Sequence, residues 1–152
     1  MNKLNRTSGF TIVELLIVVV IIAILAAITI VAYNGIQTRA NNAAANTLVA
    51  NVAKKMQAYY TLKGSYPASP MTGAALITEL NTYNESNVGT TPFTAVASPG
   101  NPTSANGKTS LKVELCGSGA GIKLTKFDYS TNAVAATPVS IGVTTGTCTQ
   151  TT

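Results

Sequence analysis

The sequence predicts an α+β fold: a long N-terminal α-helix, membrane-spanning in its first half and amphipathic in its second, packed on a small antiparallel β-sheet. Three observations carry this. The stretch Leu15–Ala32 holds no charge and one hydroxyl, Thr29. Beyond it, apolar residues recur at helical spacing to about Leu62. From Leu111 onward the period falls to two, the spacing of a half-buried strand.

The apolar run, about 18 residues, would span roughly 27 Å as a helix, close to the ~30 Å hydrocarbon core of a bilayer. Glu14 stands at its head, within a chain that is otherwise almost wholly apolar from Phe10 onward. An unpaired carboxylate there costs roughly 2.5–3.5 kcal/mol on insertion scales, so a partner is expected. Cleavage between Gly9 and Phe10 would supply one, a new α-amino group one helical turn from Glu14. Lys3 and Arg6 ahead of the run place the N-terminus on the cytoplasmic side. They also fit a secretory signal peptide, but the run is long for an h-region, no convincing A-x-A site follows, and Glu14 interrupts it. A plain single-span anchor is the other alternative. Lipoprotein processing is excluded, because the leader has no Cys to acylate.

Ser8-Gly9-Phe10-Thr11-Ile12-Val13-Glu14-Leu15-Leu16-Ile17-Val18 resembles the class III signal of type IV prepilins and pseudopilins. The likeness is close over about the first forty residues and architectural beyond them. It implies that residues 1–9 are a leader removed after Gly9 by a membrane-embedded prepilin peptidase. The same enzyme would then N-methylate Phe10. It implies that Glu14 recruits and registers incoming subunits through a neighbour's N-terminus. The partners implied are copies of this chain and other pilins, a membrane assembly platform with a cytoplasmic ATPase, and lipid before assembly. The location implied is the cytoplasmic (inner) membrane first and a surface pilus afterwards. Where many pilins carry Gly within this helix and Pro near its end, the chain has Ala23 and Val31. A straighter membrane half follows, with any bend near Asn34-Gly35.

On this reading residues 10–33 form the transmembrane and filament-core helix, and residues 34–152 a globular domain. That domain divides into a helix continuation (34–63), a connector (64–108) and a sheet with a C-terminal disulfide region (109–152). In the continuation, Ile36, Ala40, Ala44, Leu48, Val52 and Met56 fall at i+4 steps, with Val49, Ala53 and Tyr60 widening the stripe. The two helical segments together would run about fifty residues, roughly 75 Å. Lys63-Gly64 supplies a stop. Tyr59-Tyr60 and Gly64-Ser65-Tyr66-Pro67 resemble the helix end and following turn of many pilins, with the tyrosines read as core. The connector is rich in Pro and Gly, including Pro92 and Pro99, and only Ala74–Tyr83 reads as ordered, a short helix.

In the sheet region Leu111, Val113 and Leu115 alternate with Lys112 and Glu114, and Ile122 and Leu124 continue the pattern. Ser130-Thr131-Asn132 reads as a turn. Val134–Val143, interrupted by Pro138, reads as an edge or bulged strand. An antiparallel meander is the simplest arrangement. Cys116 and Cys148 are the two cysteines, so an intramolecular disulfide has a single pairing. Closing that loop of about 33 residues is worth roughly 3.7 kcal/mol, and oxidation is favoured outside the membrane. The bridge would resemble the disulfide-bounded C-terminal region of many pilins.

Composition argues against catalysis. The 152-residue chain has no His and five acidic residues, which removes a triad base and imidazole ligands. Gly117-Ser118-Gly119-Ala120-Gly121 lacks the strand–helix context and the Lys of a phosphate loop and reads as a hairpin connection. No metal site, cofactor or enzyme activity is expected; the several acids with which some pseudopilins hold calcium are missing. The formal +5 falls by two with the leader, leaving an excess that permits weak attraction to DNA but does not signal it. Asn84-Glu85-Ser86 matches a glycosylation sequon. A filament subunit for adhesion, twitching motility or DNA uptake is the leading expectation. The alternatives are a type II secretion pseudopilin and a non-polymerising membrane-anchored binding module.

Overall fold

The computed structural model describes residues 9–89, 93–95 and 100–152. The leader residues Lys3 and Arg6 and the connector prolines Pro92 and Pro99 lie outside these. The chain divides into two compact units at Gln37/Thr38.

Helix α1 runs from Ile12 to Lys63, 52 residues without a break at Ala23, Val31 or Gly35. Every described residue as far as Gln37 is exposed. It is the one helix, among the described residues, long and apolar enough to cross a membrane. The helix stops where expected: Gly64 takes a left-handed φ of +74° and its N–H closes on the Tyr60 carbonyl at 2.8 Å.

In the second unit the buried face of α1 is Ala45, Val49, Val52, Met56 and Tyr59. This corrects the predicted stripe. Ile36, Ala40, Ala44 and Tyr60 are exposed, whereas Val52, Met56 and Val49 are core. A strict i+4 step turns the helix by about 400°, so each step drifts about 40° round the cylinder. The observed face alternates steps of four and three and therefore stays in place. Helix α2 (Gly73–Asn81) is capped by the Thr72 side chain, which accepts from the Ala75 amide at 3.0 Å, and it buries Leu76 and Leu80.

The strands are β1 (Thr94–Ala95), β2 (Ser110–Cys116), β3 (Gly121–Thr125), β4 (Phe127–Asp128), β5 (Ala133–Val134), β6 (Val139–Gly142) and β7 (Cys148–Gln150). The predicted alternation holds: Leu111, Val113 and Leu115 are buried opposite Leu124 and Ile122, and all five join the core against α1 and α2.

The sheet is not the simple antiparallel meander that the pattern suggested. β3 takes one edge of β2 and carries β6 on its far side. The other edge of β2 is shared between two strands. β1 pairs in parallel at Ser110 and Leu111, and β7 pairs antiparallel at Glu114–Cys116. β4 and β5 form a separate two-stranded ladder. Period-two patterning specifies which face a residue takes but says nothing about which strand lies alongside. Within the connector, β1 was not anticipated.

Glycines let the chain beyond α1 settle on the β2–β3 hairpin. The Tyr66 amide donates to the Gly119 carbonyl at 2.9 Å, and a Cβ on Gly119 (φ +85°) would strike the Tyr66 carbonyl. Tyr66 is buried there and stacks on Tyr60, with ring centroids 4.7 Å apart.

Candidate functional site

The N-terminal end of α1 brings together Thr11 and Glu14 and leaves Gly9 and Phe10 in the open. Phe10 is 84% exposed. A Cβ added to Gly9 would meet nothing within 4 Å. Glu14 already has a partner within its own helix. One of its carboxylate oxygens accepts from the Thr11 amide at 2.9 Å and from the Thr11 hydroxyl at 2.8 Å. The Glu14 amide in turn donates to the Thr11 hydroxyl oxygen at 3.2 Å. This is a reciprocal capping box, which satisfies amides that a helix start leaves unpaired. Thr11 was not singled out from the sequence, although Thr-x-x-Glu ahead of an apolar run is the signature of such a cap. In the intact chain the Phe10 nitrogen is an amide, so a charged amino partner for Glu14 arises only on cleavage.

Behind this cap the large apolar side chains between Leu15 and Ile36 are exposed among the described residues. Each large one is between 47% and 76% exposed. Thr29, the single hydroxyl of Leu15–Ala32, donates back to the Leu25 and Ala26 carbonyls and so hides its polarity inside the helix.

In the second unit Cys116 and Cys148 face each other across β2 and β7 and are joined by a disulfide. The bridge staples the chain's last strand to its longest. The following residues continue the attachment: the Thr151 amide donates to the Val113 carbonyl at 3.0 Å and the Thr152 amide to the Met71 carbonyl at 3.2 Å.

Three of the four other acidic side chains serve separate contacts. Glu79 accepts from the Tyr59 hydroxyl at 2.8 Å and lies 3.9 Å from the Lys63 ammonium. Burial, with Glu79 adding to it, pushes the Tyr59 phenol well above its ordinary range. Glu114 pairs with Lys112 at 3.4 Å. Asp128 accepts from the Ser130 hydroxyl at 2.5 Å, the Ser130 amide at 2.8 Å and the Asn42 side chain at 3.2 Å. The Ser130 hydroxyl, then its amide, hold the Asp128 carboxyl below its usual value. Asn42 also accepts from the Tyr129 amide at 2.8 Å, and Lys126 donates to Asn46. The β4–β5 hairpin is thereby fastened to α1 by side-chain amides, a role that the sequence pattern did not mark.

Among the described residues no three His, Cys, Asp or Glu side chains gather as a metal site. Ser86 of the sequon is fully buried, its hydroxyl donating to the Leu80 carbonyl at 2.7 Å, while Asn84 is exposed.

A long apolar N-terminal helix followed by a small mixed sheet is a pilin-like α+β layout. The family model described as the prokaryotic N-terminal methylation motif matches residues 4–30, which are the class III signal of type IV pilins and pseudopilins. The motif is a structural signal rather than that of an enzyme family, and it implies prepilin peptidase processing and assembly into pilin-like filaments. No solved structure matches the chain.

Proposed function

We propose that this chain is a structural subunit of a type IV pilus-like surface filament, without enzyme activity of its own. It enters the membrane as a prepilin, N-terminus inside, and is cut after Gly9 and methylated on Phe10. Its apolar helix then passes from lipid into a filament core, powered by a separate cytoplasmic ATPase working through a membrane platform. The observation that carries this is the methylation signal running straight into a helix whose apolar side chains are uncovered. Burying each such side chain is worth about 1.5–3 kcal/mol, so the helix needs lipid or neighbouring helices as its solvent.

Adhesion, twitching motility and DNA uptake are the roles such a filament would serve. A type II secretion pseudopilin would share the same signal and helix. The absence of an acidic calcium cluster among the described residues, together with the Cys116–Cys148 bridge, favours the surface filament over it. The Thr11 cap supports a different alternative, a membrane-anchored binding module, because Glu14 is satisfied without any neighbour.

Mass spectrometry of sheared surface material beside the membrane fraction tests these readings. An abundant chain starting at methylated Phe10 in the sheared fraction is expected. A processed chain confined in small amount to membranes would point to the pseudopilin. An intact Met1–Gly9 leader on functional protein would favour the anchor and end the filament reading.

A further inference from the structure

The globular unit carries a groove of about 410 Å³ between α1 and the turn that follows α2. That volume lies within the range of small-ligand sites, about 300–1,000 Å³. Its floor is apolar: Val52 is buried, and Leu48 and Val88 are half-buried. Its rim is polar, formed by Asn51, Asn87, Lys54 and Lys55.

The wall opposite α1 is held in place. Asn81 brackets it, accepting from the Val88 amide at 2.9 Å and donating to the Gly89 carbonyl at 2.7 Å. The buried Ser86 hydroxyl ties the same turn to the end of α2. A preformed wall lowers the ordering cost of binding.

The electrostatics of the groove are one-sided. The Lys55 ammonium donates to the backbone carbonyl of Glu85 at 3.1 Å, a neutral partner that leaves its charge uncompensated and donors to spare. Among the described residues neither Lys54 nor Lys55 is paired with a carboxylate; the lysines so paired are Lys63 and Lys112. Glu85 is the acid on this turn, and it is exposed.

We propose that the groove binds a small amphipathic carboxylate, an apolar body bearing a single anionic head. Charge complementarity to Lys54 and Lys55 selects the head, with the rim amides of Asn51 and Asn87 as further donors. Leu48, Val52 and Val88 select the apolar body, which an inorganic anion would leave uncovered. The low polarity of the floor strengthens the attraction over its value in open water. The inference stands apart from whether the chain polymerises.

The test uses the full chain in lipid nanodiscs with 3-phenylpropionate as probe and its neutral amide as comparison. Saturation-transfer NMR would be read against empty nanodiscs. Saturable binding of the carboxylate is expected, about tenfold tighter than that of the amide. Lys54→Gln/Lys55→Gln, at positions whose side chains are not part of the core, should lose about the same factor. Asn51→Trp, an exposed helix position on the rim, should abolish binding by filling the groove, with helix content checked by circular dichroism. Signal equal to that of empty discs, equal affinity for the amide, or indifference to the lysine pair would each overturn the proposal.

Discussion

Glu14 has two candidate partners, and they compete. In the single chain its carboxylate is held by the amide and hydroxyl of Thr11; in a filament it would meet a neighbour's cleaved N-terminus. Removing Glu14 removes both contacts, whereas removing the Thr11 hydroxyl weakens only the first. Glu14→Ala should therefore bring filament yield in sheared fractions to background while leaving membrane insertion intact. Thr11→Val should cost about 0.5–2 kcal/mol of capping yet leave yield at or above the wild-type level. A wild-type yield from Glu14→Ala would sink the assembly role. Asp128 makes a second case at this scale. Its folded-state pKa is depressed, so its contribution to stability is present above the ordinary carboxylate range and lost as pH falls through the depressed value. Acid unfolding of the wild type should accordingly steepen below about pH 4. Asp128→Asn should flatten that limb, because the stability that the carboxylate supplies at neutral and higher pH is already missing from the variant. An unchanged acid limb would show that the Ser130 and Asn42 contacts do not stabilise the fold.

At the level of elements, β7 is the strand held to the sheet by a covalent bond. It has three residues, it pairs with β2 alone, and the disulfide at its first residue anchors it. Cys148→Ser should lower unfolding free energy by about 2–4 kcal/mol, read as a shifted denaturation midpoint. Amide exchange should accelerate first at Thr149–Thr151 and reach the Val113 carbonyl contact, while the β2–β3 ladder stays protected. Exchange that accelerates uniformly would mean the bridge acts on the whole unit. Helix α1 shows the other side of element-level reasoning. Its existence and end were legible from the apolar run and Lys63-Gly64, but its buried face was displaced in the prediction by following i+4 steps too far. The core alternation of β2 and β3 was legible because each strand buries one face. The parallel β1 was not, since two residues have no period to read.

For the whole molecule, the unpartnered apolar surface of the first unit decides the chain's surroundings. The exposed apolar side chains between Leu15 and Ile36 favour lipid or other helices over water, which fits membrane anchoring. The second unit is organised differently, with its own core spanning α1, α2 and the sheet. A core substitution there should act on folding rather than on the membrane segment. Leu115→Ala, at a residue 1% exposed, should cost about 2–5 kcal/mol. It should reduce the amount of disulfide-bonded chain without altering cleavage after Gly9. Equal loss of both would place the two units in one cooperative block.

The N-terminal signal, the membrane-length helix, the core faces of β2 and β3 and the single cysteine pairing were all determined by sequence alone. Each depends on local spacing or on a count, and both can be read along the chain. The tertiary structure alone decided that β1 and β7 share one edge of β2, that Asn42 and Asn46 fasten β4–β5 to α1, and that Lys54 and Lys55 overhang an apolar groove. Those features join residues tens of positions apart through hydrogen bonds and packing, which leave no periodic trace in a single chain.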